Sequence, residues 1–326
     1  MKLFLTIFVL LKLATAAQAA RWTLHRSCYE NNAYKEGLIK AMEIAKSRSA
    51  FCASKLREID AMNHRNPLYG APDTALPICA TEADVLLQER YEMFGELEGP
   101  IGKDSGFADS DEWRGRNNPF QTDFVLYCAP DLSEREVPLN GMQPWDNARQ
   151  RILAPDNALI LIQRDIDAGT WADPEKKAEA VTFRAPPTLI TGEEAARIPN
   201  TITFNPIWLN HRMQEGGLFA SDESLEKMTK KGALAELKKS WKPNARATPV
   251  DTMIEDLSVT LLHEMFHTHA FGGYSDLPNN DVAYNWMNNI EHKEKDNPEL
   301  IAIIALIFDL KQNKKVTVNK DGEMKK

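Results

Sequence analysis

The 326-residue chain reads as an α+β protein, mostly helical with a small β-sheet, on three observations. Apolar residues recur at helical spacing through the first half, and short β-like runs bounded by Pro, Asn or Asp follow. A capped amphipathic helix lies in the last third. Helices, then a sheet, then that helix fit an α+β layering better than an α/β barrel. With 43% hydrophobic and 26% charged residues the composition is that of an ordinary globular protein, which excludes disordered, collagenous and coiled-coil chains. The length suits two domains or one large one. Ala185-Pro186-Pro187 is read as a turn within a single domain, because no long linker accompanies it. A formal charge of −8 leaves no basic footprint for nucleic acid.

Residues 1–19 read as a signal peptide. Lys2 precedes an apolar run from Leu3 to Leu11, and Ala17-Gln18-Ala19 is an A-x-A cleavage site. The run falls well short of the ~20 apolar residues that cross a bilayer, so a membrane anchor is not expected. Secretion and a monomer with no membrane attachment after cleavage are expected. Cys28, Cys52, Cys79 and Cys128 form an even set in the first half, which suits two disulfides in an oxidising compartment. Three pairings stay open, and the paired C-x-x-C spacings of a zinc cluster are missing.

The remaining elements follow in chain order. Tyr29 to Asp60 has Ala33, Leu38, Ala41, Ile44, Ala45, Phe51 and Leu56 at roughly helical spacing and no proline, which predicts a long helix. A second helix is expected from Thr81, as a cap, through Val85, Leu86, Tyr91 and Phe94. Gly95 to Pro119, rich in Gly, Asp, Ser and Arg, reads as an irregular loop. Phe124 to Cys128, Ala158 to Ile162 and Thr201 to Phe204 are expected strands, the last either an edge that pairs with an extended peptide or an interior strand. The N-terminal helical, cysteine-containing half runs to about residue 190, and the domain ends at 311. The lysine-rich tail, 312–326, is expected to be disordered.

Thr248 to His267 carries the chemistry. Thr248 is placed as a cap with Pro249 at the first helical position, and Gly272-Gly273 stops the helix. One continuous helix is expected, its buried stripe supplied by Ile254, Leu257, Leu261 and Leu262. His263 and His267 are four residues apart, about 40° around the axis and about 6 Å along it, so both imidazoles can reach one metal ion. Glu264, turned about 100° from His263, can touch a metal-bound water instead. This is His-Glu-x-x-His, the signature of zincin-like metalloproteases, set on the helix the motif requires; the bland alternative is two histidines and a glutamate on a solvated face.

Zinc needs a third protein ligand and an open position for water. The metzincin extension would put Gly at 270 and His at 273, where the chain has Ala270 and Gly273, so that class is excluded. His269 lies about 200° around the helix from His267 and is read as structural or solvated. Asp276, Asp281, Glu291 and Glu294 remain as carboxylate candidates.

His263-Glu264-Met265-Phe266-His267, then Gly272-Gly273, then Asp281-Val282-Ala283-Tyr284 resembles the aspzincins, the deuterolysin and peptidyl-lysine metalloendopeptidase family of mostly fungal secreted zinc proteases. Asn297-Pro298-Glu299-Leu300-Ile301-Ala302-Ile303-Ile304-Ala305 is similar to that family's closing helix. The resemblance runs from the histidine helix to Leu310. The family's third ligand is the aspartate of Gly-Thr-x-x-Asp-x-x-Tyr-Gly. The chain departs from that stretch: Tyr274 replaces the Thr, extra residues precede Asp281, and Asn285 replaces the Gly after Tyr284.

The resemblance implies one zinc ion held by His263, His267 and Asp281, with Asp276 the minor candidate because only Asp281 has a tyrosine three residues on. It implies Glu264 as general base and Tyr284 near the oxyanion or the ligand carboxylate, against a packed core tyrosine as the plain alternative. Glu299 falls where lysine-specific members accept a substrate lysine; its plain role is a favourable charge at a helix N-terminus. The expected activity is that of a secreted metalloendopeptidase acting on proteins or peptides. A non-catalytic zinc-binding or effector protein on the same fold is the alternative, against which Glu264 is retained and the tail holds no histidine. The apolar run Leu300 to Phe308, too short to span a bilayer, is expected to be a buried helix beneath the zinc site.

Overall fold

The computed structural model describes residues 20–61, 84–100, 123–137, 141–148, 151–170, 179–184, 199–215, 217–240, 247–268, 271–277, 283–292, 294 and 296–326. The segment read as a signal peptide, the cap Thr81, most of the Gly95 to Pro119 loop and Ala185-Pro186-Pro187 lie outside these residues.

Strand β1 (Trp22–Leu24) leads into a single turn, α1 (Arg26–Tyr29), and then α2 (Asn32–Ala61), the long helix its apolar spacing predicts. Asn31 caps α2, its Oδ1 accepting the amides of Ala33 at 3.0 Å and Tyr34 at 3.3 Å. Helix α3 (Asp84–Gly95) packs along α2. Its last residue has to be small, since a Cβ on Gly95 would stand 3.0 Å from Ala50 Cβ. Cys28 is bonded to Cys128, which ties α1 to the end of β2 (Phe124–Tyr127). Cys52 is a buried free thiol on α2, and Cys79 lies outside the described residues, so one of the two expected disulfides is present among them.

Next come β3 (Leu132–Val137), β4 (Gly141–Asp146) and β5 (Arg151–Ile152), an antiparallel sheet of its own. Residues 158–162, expected as a strand, instead begin α4 (Ala158–Ala168). Asn157 caps it by accepting the Leu159 amide, and Gly169 ends it in the left-handed conformation at φ 64°. Leu159 and Ile162 are its buried residues, three apart on one helical face, so the apolar run has helical and not strand periodicity.

Strands β6 (Ala180–Phe183) and β7 (Asn200–Phe204) complete the main sheet, ordered β1-β2-β7-β6. The first three strands run parallel and β6 is antiparallel to β7. Thr201 to Phe204 is therefore an interior strand, and among the described residues β1 and β6 form the two edges. Helices α5 (Pro206–Glu215), α6 (Asp222–Thr229) and α7 (Ala233–Ser240) follow.

The helix expected from Thr248 is broken in two, α8 (Asp251–Ile254) and α9 (Leu257–Phe266). Asp256 causes the break: its Oδ1 accepts the Ser258 amide at 2.9 Å as the cap of α9, and its Oδ2 accepts the Ala220 amide at 3.0 Å. An aspartate held by neighbouring amides starts helices better than it continues them. Thr248 is no cap; its amide and hydroxyl both donate to Asp251 Oδ2. Helix α9 ends with His267 as its C-cap, ahead of the Gly-Gly pair.

Helix α10 (Trp286–His292) precedes α11 (Pro298–Asn313), which is buried along nearly its whole length as expected and lies against α9 and α2. Tyr91 donates to the Ile301 carbonyl at 2.6 Å, and Arg48 donates to Asp309 at 3.0 Å and Ser258 at 2.6 Å, so polar ties join α2, α3, α9 and α11. One apolar cluster running from Trp22 to Met324 unites these elements. The tail expected to be disordered forms a ribbon of β8 (Thr317–Val318) and β9 (Met324–Lys325), because Val316, Val318 and Met324 are buried while the lysines stay outside. Among the described residues no helix is long and apolar enough to cross a membrane.

Candidate metal centre

Helix α9 places His263 and His267 on one face, four residues apart, with their Nε2 atoms 3.0 Å from each other. Each ring is oriented from its far side. His263 Nδ1 donates to Glu299 Oε2 at 3.1 Å, and His267 Nδ1 donates to the Tyr274 carbonyl at 2.9 Å. A carboxylate and a carbonyl can only accept, so in the neutral rings both Nε2 atoms carry lone pairs, turned toward the same point.

Asp276 closes the group. Its Oδ1 lies 3.4 Å from His263 Nε2 and 3.5 Å from His267 Nε2, while Oδ2 accepts the Tyr284 hydroxyl at 3.1 Å. Oδ1 is buried and has no hydrogen-bond partner. An orphaned buried acceptor costs about 1–3 kcal/mol; with both rings neutral it faces two lone pairs, and without a metal ion a proton on His263 Nε2 gives it an ion pair at 3.4 Å. A cation resolves all three at once: for bonds of ~2.0–2.1 Å the edges of a tetrahedron are about 3.3 Å, close to the three separations found. His263, His267 and Asp276 are therefore a group that can hold a metal ion. Asp281, the ligand implied by the resemblance, lies outside the described residues, as does His269. The carboxylate brought to the histidine pair is Asp276.

The loop from His267 to Asp276 turns sharply. Gly272 and Gly273 have φ of 125° and 62°, where a Cβ is strained. At Gly272 a Cβ would also meet Arg90 Nη1 and the Tyr274 ring at 2.8 Å. Phe271 anchors the turn, packed among Phe94, Phe124 and Phe266.

Glu264 is buried beside the histidines, its Oε2 accepting the Thr182 hydroxyl at 2.6 Å. Thr182 sits on the edge strand β6, so the motif helix runs alongside a strand edge. Tyr284 is 44% exposed and stacks on His263 with centroids 5.7 Å apart, so it is no packed core tyrosine. An asparagine network holds it: Asn289 and Asn297 both donate to the Ala283 carbonyl, at 2.9 and 2.7 Å, and Asn285 sits at φ 63°. Glu299 lies in the first turn of α11 but is buried and committed to His263, so its carboxylate is not free for a substrate lysine.

Charge follows from this packing. Burial pulls His263 down, yet the Glu299 hydrogen bond and charge, aided by Glu264 and Asp276, outweigh it and push the ring up to about 9. Burial and then the cationic His263 lower His267, since two rings this close do not share two extra protons. Desolvation of the hydroxyl end first, then Asp276, Glu264 and Glu299, raise Tyr284 above the usual phenol range and keep its proton on, although the side chain as a whole is partly open to solvent. Glu179, just before β6, is pushed up to about 7 by desolvation, then by Glu255 and Glu299. Thr182 and Glu179 escaped the sequence reading, although Ala180-Val181-Thr182-Phe183 carries a legible strand signal in its β-branched and aromatic residues. Compared with known proteins, the chain matches no family model, no curated protein and no solved structure.

Proposed function

We propose that the protein is a secreted zinc-dependent metalloendopeptidase of zincin-like architecture and aspzincin type, acting on protein or peptide substrates. The observation that carries the reading is the orphaned Asp276 Oδ1, aimed at two convergent histidine Nε2 atoms, with the Glu264 carboxylate close enough to act electrostatically on both rings. The loop also supports the resemblance. Gly272 to Asp276 has the Gly-x-x-x-Asp spacing of the family's Gly-Thr-x-x-Asp, which puts the extra residues between the aspartate and Tyr284. Asn285, standing where the family has glycine, adopts the positive φ that glycine serves and asparagine tolerates.

His263, His267 and Asp276 would hold the zinc, which when bound brings a nearby water's pKa toward neutrality and polarises the scissile carbonyl. Glu264 takes the proton of the attacking water and returns it to the leaving amine, and Thr182 fixes the carboxylate for that task. Tyr284, kept protonated and bonded to Asp276 Oδ2, stands at the mouth of the site, where its hydroxyl would turn from that carboxylate to the carbonyl oxygen as negative charge develops. The outer edge of β6 offers main-chain groups to an extended substrate beside Glu264.

The test is metal content by mass spectrometry together with casein cleavage, on the wild type, Glu264→Gln, Asp276→Ala and Asp281→Ala. One zinc per chain and cleavage in the wild type are expected. Cleavage should fall ~10²–10⁴-fold in Glu264→Gln with zinc retained, and zinc should be lost in Asp276→Ala and kept in Asp281→Ala. A wild type without metal, or an active Glu264→Gln, ends this reading. Metal without cleavage leaves a zinc-binding protein on a protease-like site.

A further inference from the structure

Arg184 directly follows β6 and reaches from the edge strand to the loop that carries Asp276. Its Nη1 donates to the Gly273 carbonyl, and its Nη2 donates to the Tyr274 carbonyl at 2.6 Å and to Ser275 Oγ at 3.2 Å. Three consecutive loop residues are thus held by one guanidinium. The Tyr274 carbonyl is the same oxygen that accepts His267 Nδ1 at 2.9 Å, so Arg184 shares an acceptor with the ring it does not touch.

The loop needs such a tie. Its two glycines, at φ 125° and 62°, bring no side chains to pack. The amides of Gly273 and Tyr274 are anchored to the Thr268 and Phe266 carbonyls at 2.8 and 3.1 Å, which leaves the direction of the following carbonyls to Arg184. Arg90, 4.6 Å from the centre of the Tyr274 ring, clamps the side chain and not the main chain. A rigid planar fork can engage two successive carbonyls together, whereas a lysine ammonium keeps the charge but not that geometry.

We propose that Arg184 is a positioning residue of the metal centre: it holds residues 273–276 against the edge strand, so that the Tyr274 carbonyl orients His267 and Asp276 Oδ1 stays on the histidine pair. The inference rests on the metal-binding reading above. Groups that orient metal ligands are worth about 10–100-fold in metal affinity, and a guanidinium that merely balanced charge would be replaced by lysine without loss.

The experiment is titration of the purified metal-free chain with Co²⁺, following its visible absorption, for the wild type, Arg184→Lys and Arg184→Ala, with thermal unfolding of each metal-free protein by circular dichroism. Arg184→Lys should bind Co²⁺ 10–100-fold more weakly, with a weaker and shifted visible band, while unfolding at the wild-type temperature; Arg184→Ala should be at least as impaired. Wild-type affinity and spectrum in Arg184→Lys would overturn the inference. So would a variant whose melting temperature falls while its spectrum at saturation is unchanged, since that is a structural role alone. Failure of the wild type to bind Co²⁺ removes the metal reading and this inference together. A normal wild type with unaffected Arg184 variants removes only the latter.

Discussion

The two histidines are oriented by different kinds of support. His263 is turned by a buried carboxylate on the first turn of α11, a helix packed on nearly every side. His267 is turned by a main-chain carbonyl in a loop with two glycines at positive φ, itself held from the edge strand by Arg184. One support is electrostatic and rigid; the other is geometric and rests on backbone conformation. The helix side should therefore fail through charge and the loop side through shape.

The largest separation is expected between His263→Ala and His267→Ala in the metal-free protein. Removing His263 strands the Glu299 carboxylate in the core, a loss of about 3–5 kcal/mol. Removing His267 leaves a carbonyl that still accepts from Arg184, and about 1 kcal/mol is expected. Urea unfolding of both variants measures the gap; equal losses would mean that Glu299 and Tyr274 are equivalent supports.

Gly272→Ala tests the loop side next. Its φ of 125° and the 2.8 Å approach to Arg90 and Tyr274 put the strain at about 1–3 kcal/mol. Metal affinity should drop with it, while the helix side keeps its pH behaviour. Competition with a chelator reads the affinity, and an unchanged value would show that the loop does not shape the site.

Glu299→Gln sharpens the electrostatic half. The folded value of His263, about 9, is above the ordinary 6.5, so its proton stabilises the metal-free protein fully below pH 6.5 and that contribution disappears as pH rises toward 9. A metal ion must displace that proton, so wild-type affinity should climb with pH up to about 9. In Glu299→Gln the climb should end at lower pH, measured by calorimetric titration with zinc across that range. Identical profiles would contradict the Glu299 pairing.

The smallest effect on metal affinity is expected from Tyr284→Phe. It removes one hydrogen bond to Asp276 Oδ2 from a residue open enough for water to replace it, worth about 0.5–1.5 kcal/mol. That is about tenfold at most in metal affinity; a larger loss would make the Tyr284 hydroxyl a principal support of the Asp276 carboxylate.

Much of the site was legible where the information is local. The four-residue spacing of His263 and His267 sets their common face, and Asn297 with Pro298 marks the start of α11. Local signals also misled. Ala158 to Ile162 reads as an apolar strand until Asn157 and Gly169 are weighed as cap and stop, and Thr248 reads as a cap although Asp256 is the residue that starts α9. Sparse apolar residues hid the order of the tail, where Val316, Val318 and Met324 suffice to dock a short ribbon.

By itself, the sequence determined the α+β class, the long N-terminal helix, the buried closing helix and the histidine pair with its neighbouring glutamate, because helical periodicity and capping act over a few residues. The tertiary structure alone decided that Asp276 meets the histidines, that Glu299 turns to His263, that Thr182 reaches the motif from β6 and that Arg184, just after β6, reaches the loop carrying Asp276. Those partners stand up to 90 residues away along the chain. No local rule fixes where the Gly272-Gly273 turn sends a carboxylate, since glycine permits many paths and only the packed surroundings select one.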